Sequence, residues 1–389
     1  MNRVGLAVVV YKKNYGSMLQ AYATQAALAR LGTRPEVIPI GPFSSRIRKG
    51  KARFFVSRLK SREERLYLRA MLATEVRKRF PTQFASNIRV RNAKYSGFLE
   101  NNVIFGPESS SISEVVDQCR SYRAVIVGSD QLWRPSNIEG DFFTLNFVPP
   151  GTRRIAYATS FGVAQLPKQQ WEKAGNFLSR FDHISVREET GKALVKSISG
   201  REVPVVCDPS MLLDAEQWSQ LEPQWRPQAG FILCYFLGAN RGHRLFAQKL
   251  AAVTGLRIVA LLHGATFIPD DDAFPHEARY DVGPAEFLTL VRKAEYVCTD
   301  SFHGTVFSIL FQRKFFSFAR FEENSELSTN DRLKTLLGWC GLNERLLSGK
   351  EDVSASLELQ IDYDAVLQRV AQKRQEGMTY LQMALGLNG

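Results

Sequence analysis

The sequence predicts an α/β protein built from two parallel-sheet domains that face each other across a cleft. Two observations carry that reading. Short apolar, β-prone runs alternate with amphipathic helical stretches, and the alternation breaks once, near residues 214–229, before starting again. A length of 389 residues agrees, since it suffices for about two domains.

Taken in order, "RVGLAVVVY" reads as a strand, "SMLQAYATQAALARLG" as a helix closed by Gly32, and "PEVIPI" as a second strand. After residue 110 the series resumes: "ISEVVDQCRSY" helix, "RAVIVGSD" strand, "RRIAYATS" strand, "LPKQQWEKAGNFLSRF" helix, "HISVRE" strand, "ETGKALVKSI" helix and "VPVVCDPSMLL" strand. The polar stretch "DAEQWSQLEPQWRPQAG" interrupts it. A second series then runs "FILCYFLG" strand, "HRLFAQKLAAVTG" helix, "RIVALLH" strand, "PAEFLTLVRKA" helix, "EYVCTDS" strand, "TVFSILFQ" helix and "KFFSFA" strand. The expected domains are 1–220, with a basic helical insertion at about 44–94, and 228–350. A long helix within 360–389 is expected to lie back across the first domain.

Composition narrows the function. At 44% hydrophobic and 23% charged, the chain is that of a folded soluble protein. No apolar run approaches the ~20 residues that cross a bilayer, and "VGLAVVVY" lacks the basic lead and cleavage site of a secretory signal, so a cytoplasmic protein is expected. Cys119, Cys207, Cys234, Cys298 and Cys340 are an odd number without a C-x-x-C pair, which predicts reduced thiols and no metal site. The net charge of +12 points to acidic partners: anionic substrates, an anionic membrane surface or nucleic acid. No nucleic-acid module or aromatic-basic platform is present, and no nucleic acid partner is expected. In the segment from Arg46 to Phe80, basic residues mix with Phe54, Phe55, Leu59, Leu68, Leu72 and Val76. Three readings fit it: a solvated helical insertion covering the first domain, a surface touching anionic lipid, or a groove for an acidic glycan.

Ligands of open parallel sheets bind beyond the carboxyl ends of the strands, and several polar residues fall there. Asp130 ends "AVIVGSD", Arg187 ends "HISVR", Asp208 ends "VPVVCD", and Asp300, Ser301 and His303 follow "EYVCT". His303 sits where a strand passes into a helix, beside backbone N–H groups without internal partners, and an imidazole exchanges protons near neutral pH. Asp208 and Asp300 read first as a turn former and a cap. Arg187 reads equally as a partner for Glu188 or Glu189. In "NYGSMLQAYA", Gly16 reads as a turn after the first strand and Ser17 as a helix cap; G-x-G-x-x-G and the P-loop pattern are both absent there, which weakens a nicotinamide or ATP reading.

Six stretches, in order, carry a family resemblance: "NYGSMLQAYATQAALARLG", "YRAVIVGSDQLWRPSN", "RIAYATSFG", "FDHISVREETG", "VVCDPSMLL" and "CTDSFHGTVFSILFQRKFF". Through them the chain resembles the polysaccharide pyruvyl transferase family over nearly its whole length. The resemblance implies two Rossmann-like domains of the glycosyltransferase B type, the first on the acceptor side and the second on the donor side. It also implies transfer of a pyruvyl unit from phosphoenolpyruvate to a sugar as a cyclic ketal, with no further cofactor. By the same resemblance His303 contacts phosphoenolpyruvate as general acid, Arg187 holds its anionic groups with Ser301 and Gly304, and Asp130 is the candidate base. Asn14, Tyr15, Gly16 and Gln20 are acceptor-side candidates. Some relatives carry an arginine where this chain has Ser301, so a second cation is needed, with Arg332 favoured over Arg320. The acceptor is a saccharide, lipid-linked or polymeric, and the lipid-linked case implies peripheral contact with the inner face of the membrane. A glycosyltransferase using a nucleotide sugar, and a binding protein without catalysis, are the other readings that the fold permits.

Overall fold

The computed structural model describes residues 2–58, 69, 72–80, 82–262, 268–271, 273–321 and 329–387. Two sheets, each wholly parallel, organise them. The first comprises β1 (Arg3–Ala7), β2 (Arg34–Val37), β3 (Ala124–Val127), β4 (Arg153–Thr159) and β5 (His183–Val186), in the order β2-β1-β3-β4-β5. The second comprises β6 (Phe231–Tyr235), β7 (Arg257–Leu261), β8 (Glu277–Arg279), β9 (Tyr296–Thr299), β10 (Lys314–Phe318) and β11 (Leu346–Leu347), in the order β11-β10-β9-β6-β7-β8. Strands covered on both faces have no polar face to alternate. Hence β3 reads AVIV and β6 reads FILCY, every residue buried.

Parallel neighbours require crossovers, which helices supply. In the first domain these are α1 (Tyr15–Arg30), α2 (Ser44–Arg58), α3 (Gln83–Asn102), α4 (Ile112–Cys119), α5 (Pro135–Gly140), α6 (Trp171–Leu178) and α7 (Glu189–Ser199). In the second they are α8 (Arg241–Thr254), α9 (Pro284–Lys293), α10 (Phe302–Leu310) and α11 (Asp331–Cys340), and α12 (Tyr363–Leu385) follows. Each sheet reverses its direction of growth once, between β1 and β3 in the first and between β6 and β9 in the second. At such a switch point the loops leaving two adjacent strands diverge and leave a crevice.

Local expectations were overturned in three places. "VPVVCDPSMLL" forms no strand: Val205 makes a single bridge to Val186, and the chain then enters a 3-10 turn at Pro209–Met211. Pro204 and Pro209 cannot donate to a ladder, which stops pairing on either side of that bridge. Gly16 is no turn residue but lies inside α1, and the cap of α1 is Asn14, whose side chain accepts from the Ser17 N–H at 3.3 Å. The short edge strands β8 and β11 carried too few residues to be read from the sequence.

The basic insertion covers the first domain, as one reading had it, and also reaches the second. Gly50 of α2 lies so close to the Glu139 carbonyl of α5 that a Cβ there would overlap it, and Arg46 pairs with Asp141. From α3, Arg91 donates to Leu262 O at 2.8 Å and Lys94 pairs with Glu286 at 2.7 Å, so this helix braces the second domain. Val56, Leu72, Val76 and Phe80 are exposed, while Leu59 and Leu68 lie outside the described residues. Among the described residues no helix is long and apolar enough to cross a membrane. All five cysteines are buried and unpaired.

The domains share a core. One cluster of buried apolar residues runs from Val4, Leu6 and Ala124 of the first sheet to Phe231, Leu233 and Val297 of the second. Tyr15 joins them: it is fully buried, donates its hydroxyl to Val282 O at 3.0 Å, and stacks on Phe287 with ring centroids 4.6 Å apart. α12 spans both domains. It begins against Arg313 and Cys340 and ends with Tyr380 donating to Ala156 O and Arg123 to Leu385 O.

Candidate active site

The two switch points face each other, and the strand-end residues converge between them. From the first domain, Asp130 follows β3 and Arg187 follows β5; from the second, Ser301, Phe302 and His303 open α10 after β9. Asp130 has φ 77°, a left-handed conformation that aspartate tolerates better than most residues. Its carboxylate accepts from Ser17 Oγ at 2.8 Å and lies 3.7 Å from Arg187 Nη2. Strain of this kind concentrates where a side chain must be aimed.

Arg187 is almost wholly buried and is held by Asp208, whose Oδ2 accepts from Arg187 Nη1 at 2.6 Å and from Ser129 Oγ at 2.8 Å. Oδ1 of Asp208 accepts from the Ser210 N–H and hydroxyl and lies 3.6 Å from His303 Nε2. Burial works to raise the Asp208 pKa, but His303, then Arg187 and Ser210, hold it well below the usual carboxylate range. Asp208 does cap a turn, as its "DPS" context suggests, and it also fixes the guanidinium and faces the imidazole. That second role had no signal in the sequence.

Across the domain boundary, the Arg187 guanidinium lies 4.5 Å from the ring centroid of Phe302, and Arg332 of α11 lies 5.7 Å from the same ring. Burial and the neighbouring Arg187 push the Arg332 pKa down to about 9. A buried cation depressed in this way favours an anionic ligand. Burial also acts to raise Asp130, yet Arg187, His303 and Arg332 bring it to about 2. Arg320, the other candidate cation, is engaged by Asp300, donating to its carbonyl at 2.8 Å and its carboxylate at 3.3 Å. Asp300 is no cap; it accepts from the N–H groups of Leu237 and Gly238 and ties the two loops of the second switch point together.

His303 is 6% exposed, and its Nε2 has no hydrogen-bond partner among the described residues. Its ring lies against Gly16, where a Cβ would overlap Nδ1. The stretch expected to face the acceptor also has structural work. Asn14 caps α1, Tyr15 is locked in the shared core, Gly16 makes room for the imidazole, and Gln20 is buried with its amide donating to Ser17 O. On the donor side, the Ser301 hydroxyl accepts from the Gly304 N–H at 3.3 Å as the cap of α10, which uses that N–H and one lone pair of the hydroxyl, and a Cβ on Gly304 would overlap Thr299.

Two features went unread in the sequence. Glu188 is buried beside Arg187 and Arg332 and lines a cavity of about 190 Å³ with Gly162, Thr190, Thr329 and Asp331. On the first domain's rim, Lys51 of α2 is pushed down to about 8, by burial first and then by Lys12 and Arg134. An adjacent Arg–Glu pair and a scattered set of basic residues look the same whether they line a cleft or face water.

The family model for polysaccharide pyruvyl transferase matches residues 14–320. The chain belongs to the polysaccharide pyruvyl transferase family. The matched span begins at the α1 cap and includes Asp130, Arg187, Asp208 and His303, while Arg332 follows it. This pyruvyl transferase family member is thus a transferase enzyme. No curated protein matches the chain. Among solved structures, a Listeria monocytogenes protein described as a UDP-N-acetylglucosamine 2-epimerase is similar at 8% identity, with 100% of this chain and 97% of that one covered and a TM-score of 0.54. That likeness is one of fold, two facing Rossmann-like domains of the glycosyltransferase B type. The UDP-GlcNAc 2-epimerase of Methanocaldococcus jannaschii (12% identity, 98% of each chain, TM-score 0.47) and the glycosyltransferase SnogD of Streptomyces nogalater (11%, 100% and 98%, 0.46) are also similar.

Proposed function

We propose that this pyruvyl transferase moves the pyruvyl unit of phosphoenolpyruvate onto two hydroxyls of a sugar in a polysaccharide or glycan precursor, releasing phosphate and forming a cyclic ketal. The observation that carries the donor assignment is the pair of buried guanidiniums, Arg187 and Arg332, flanking Phe302 next to His303. Phosphoenolpyruvate has a carboxylate and a phosphate on a small frame, and two fixed cations suit it.

The reaction needs a proton on the methylene carbon, a bond from one acceptor oxygen to the central carbon, and loss of that hydroxyl's proton to a base. The second hydroxyl then displaces phosphate, its proton passing to the leaving phosphate, whose departing charge the arginines stabilise. His303 is the general acid in this reading and Asp130 the base. Held at about 2 by these cations alone, Asp130 is a weak base. Donor phosphate on Arg187 and Arg332 offsets the charges that hold it down, and its basicity rises as the complex forms. Lys12, Lys51 and Arg134 give the acceptor side a cationic rim suited to an acidic saccharide.

The test is incubation with labelled phosphoenolpyruvate and a panel of glycans, reading phosphate release and a mass gain on one acceptor. His303→Ala is expected to keep the fold and lose at least about 100-fold in rate, the usual scale for a general acid. Full turnover by that variant removes His303 from the mechanism. Turnover with a nucleotide sugar, and none with phosphoenolpyruvate, replaces the whole reading.

A further inference from the structure

Glu188 is the carboxylate that the reaction as written leaves without a task. It is 2% exposed, and neither of its oxygens meets a partner in good hydrogen-bond geometry among the described residues. Buried carboxylates in that condition are uncommon, because desolvating the charge is costly unless donors replace the lost water. Its surroundings are a cavity, not packed apolar core: Glu188 lines it from the first domain, and Thr329 to Arg332 line it from the second.

The charges facing Glu188 come from each element around it. Arg187 precedes it in the chain, with Nε 4.0 Å from its carboxylate; Arg332 and Asp331 face it from α11, and Ser160 from the loop after β4. Lys334 stands exposed at the cavity rim, and Asp331 accepts from the Thr190 N–H and hydroxyl. The charged groups gathered here are two guanidiniums, Arg187 and Arg332, with the His303 imidazole, against the buried carboxylates of Asp208 and Glu188 and the partly exposed one of Asp130. That set holds no surplus of cations. A phosphoenol ester adds a carboxylate and a phosphate to it, and a low-dielectric cleft does not accept such an excess of negative charge without protons.

We propose that Glu188 takes up a proton from solvent when the donor binds, and holds it as a neutral carboxyl that donates a hydrogen bond to the bound anion. This rests on the phosphoenolpyruvate reading. Asp208, with four donated hydrogen bonds, and Asp130, held at about 2, stay ionised. Glu188 differs, because burial outweighs Arg187, Arg332 and Ser160 and raises its pKa. His303 is the other group able to receive a proton, and the ion pair it then makes is with Asp208.

The test is calorimetric titration of the enzyme with phosphoenolpyruvate, near neutral pH, in buffers of different ionisation enthalpy. Donor binding by the wild type takes up protons, and Glu188→Gln reduces the uptake by up to about one per site, while His303→Asn keeps the share due to Glu188. In steady state the wild-type KM for the donor rises by up to about tenfold per pH unit on the alkaline limb. Glu188→Gln flattens that rise with little change in the shape of the kcat profile. Without ligand, stability supplies a second readout. A carboxyl whose pKa is raised by folding contributes stability that is complete below its unfolded-state pKa and lost as pH rises through its folded-state pKa. The melting temperature of Glu188→Gln therefore gains on wild type as pH rises. Unchanged proton uptake in Glu188→Gln, or a melting difference that is constant with pH, overturns the proposal and leaves the donor reading standing. Absence of any phosphoenolpyruvate binding overturns both.

Discussion

Arg187 meets Asp208 and Ser129 on one side and the Phe302 ring on the other, while its Nε and Nη2 have no hydrogen-bond partner among the described residues. One residue thus has a structural half and an open half. Arg187→Ala removes the one guanidinium bonded to the buried Asp208, to which Ser129 and Ser210 still donate; breaking such a pair costs up to about 3–5 kcal/mol, measurable in urea melts. Adding Asp208→Asn to that variant recovers part of the stability and none of the donor affinity. Recovery of both means that the guanidinium is only scaffolding. The strand-end placement of Arg187, Asp130 and His303 was legible because apolar runs end abruptly at polar residues. Asp208 was not legible in the same way: its "DPS" reads as a turn, and its partners Arg187 and Ser129 lie 21 and 79 residues away.

Among the elements, the start of α1 is the most constrained, since Gly16 touches the His303 ring at the opening of α10. Gly16 is the second residue of α1, where alanine gains at most the about 1 kcal/mol over glycine that it has at an inner helix position. Overlap with a buried ring costs typically 1–3 kcal/mol, so the clash wins. Gly16→Ala is expected to lower stability modestly and activity far more, because the ring must shift; a crystal structure or kinetics of that variant checks it. Unaltered kinetics mean that the imidazole has room to spare. Element order was readable from the change of period between two and 3.6 residues. Three kinds of feature were not: a strand truncated by its prolines, edge strands of two or three residues, and the N-cap of α1. A cap depends on which of Asn14 and Ser17 turns toward the freed N–H, and both residue types cap well.

On the scale of the whole molecule, the division into two sheets does not divide the core. Apolar residues of both sheets form one cluster, and Tyr15 of the first domain is buried in the second. Thermal unfolding is expected as a single transition with matching calorimetric and van't Hoff enthalpies; two resolved transitions show that the domains are energetically separate. The sequence showed two repeating series and a break between them, but contacts that join them rest on residues far apart in the chain. α12, roughly 35 Å long at the usual rise per residue, touches both lobes. It also follows both sheets in the chain. During synthesis, then, each lobe emerges and gathers around its own strands before the clasp exists. A nascent chain stalled ahead of Tyr363 carries every residue of the pocket but lacks the helix that ties Cys340 to Ala156, so its donor affinity is expected to rise when that clasp docks.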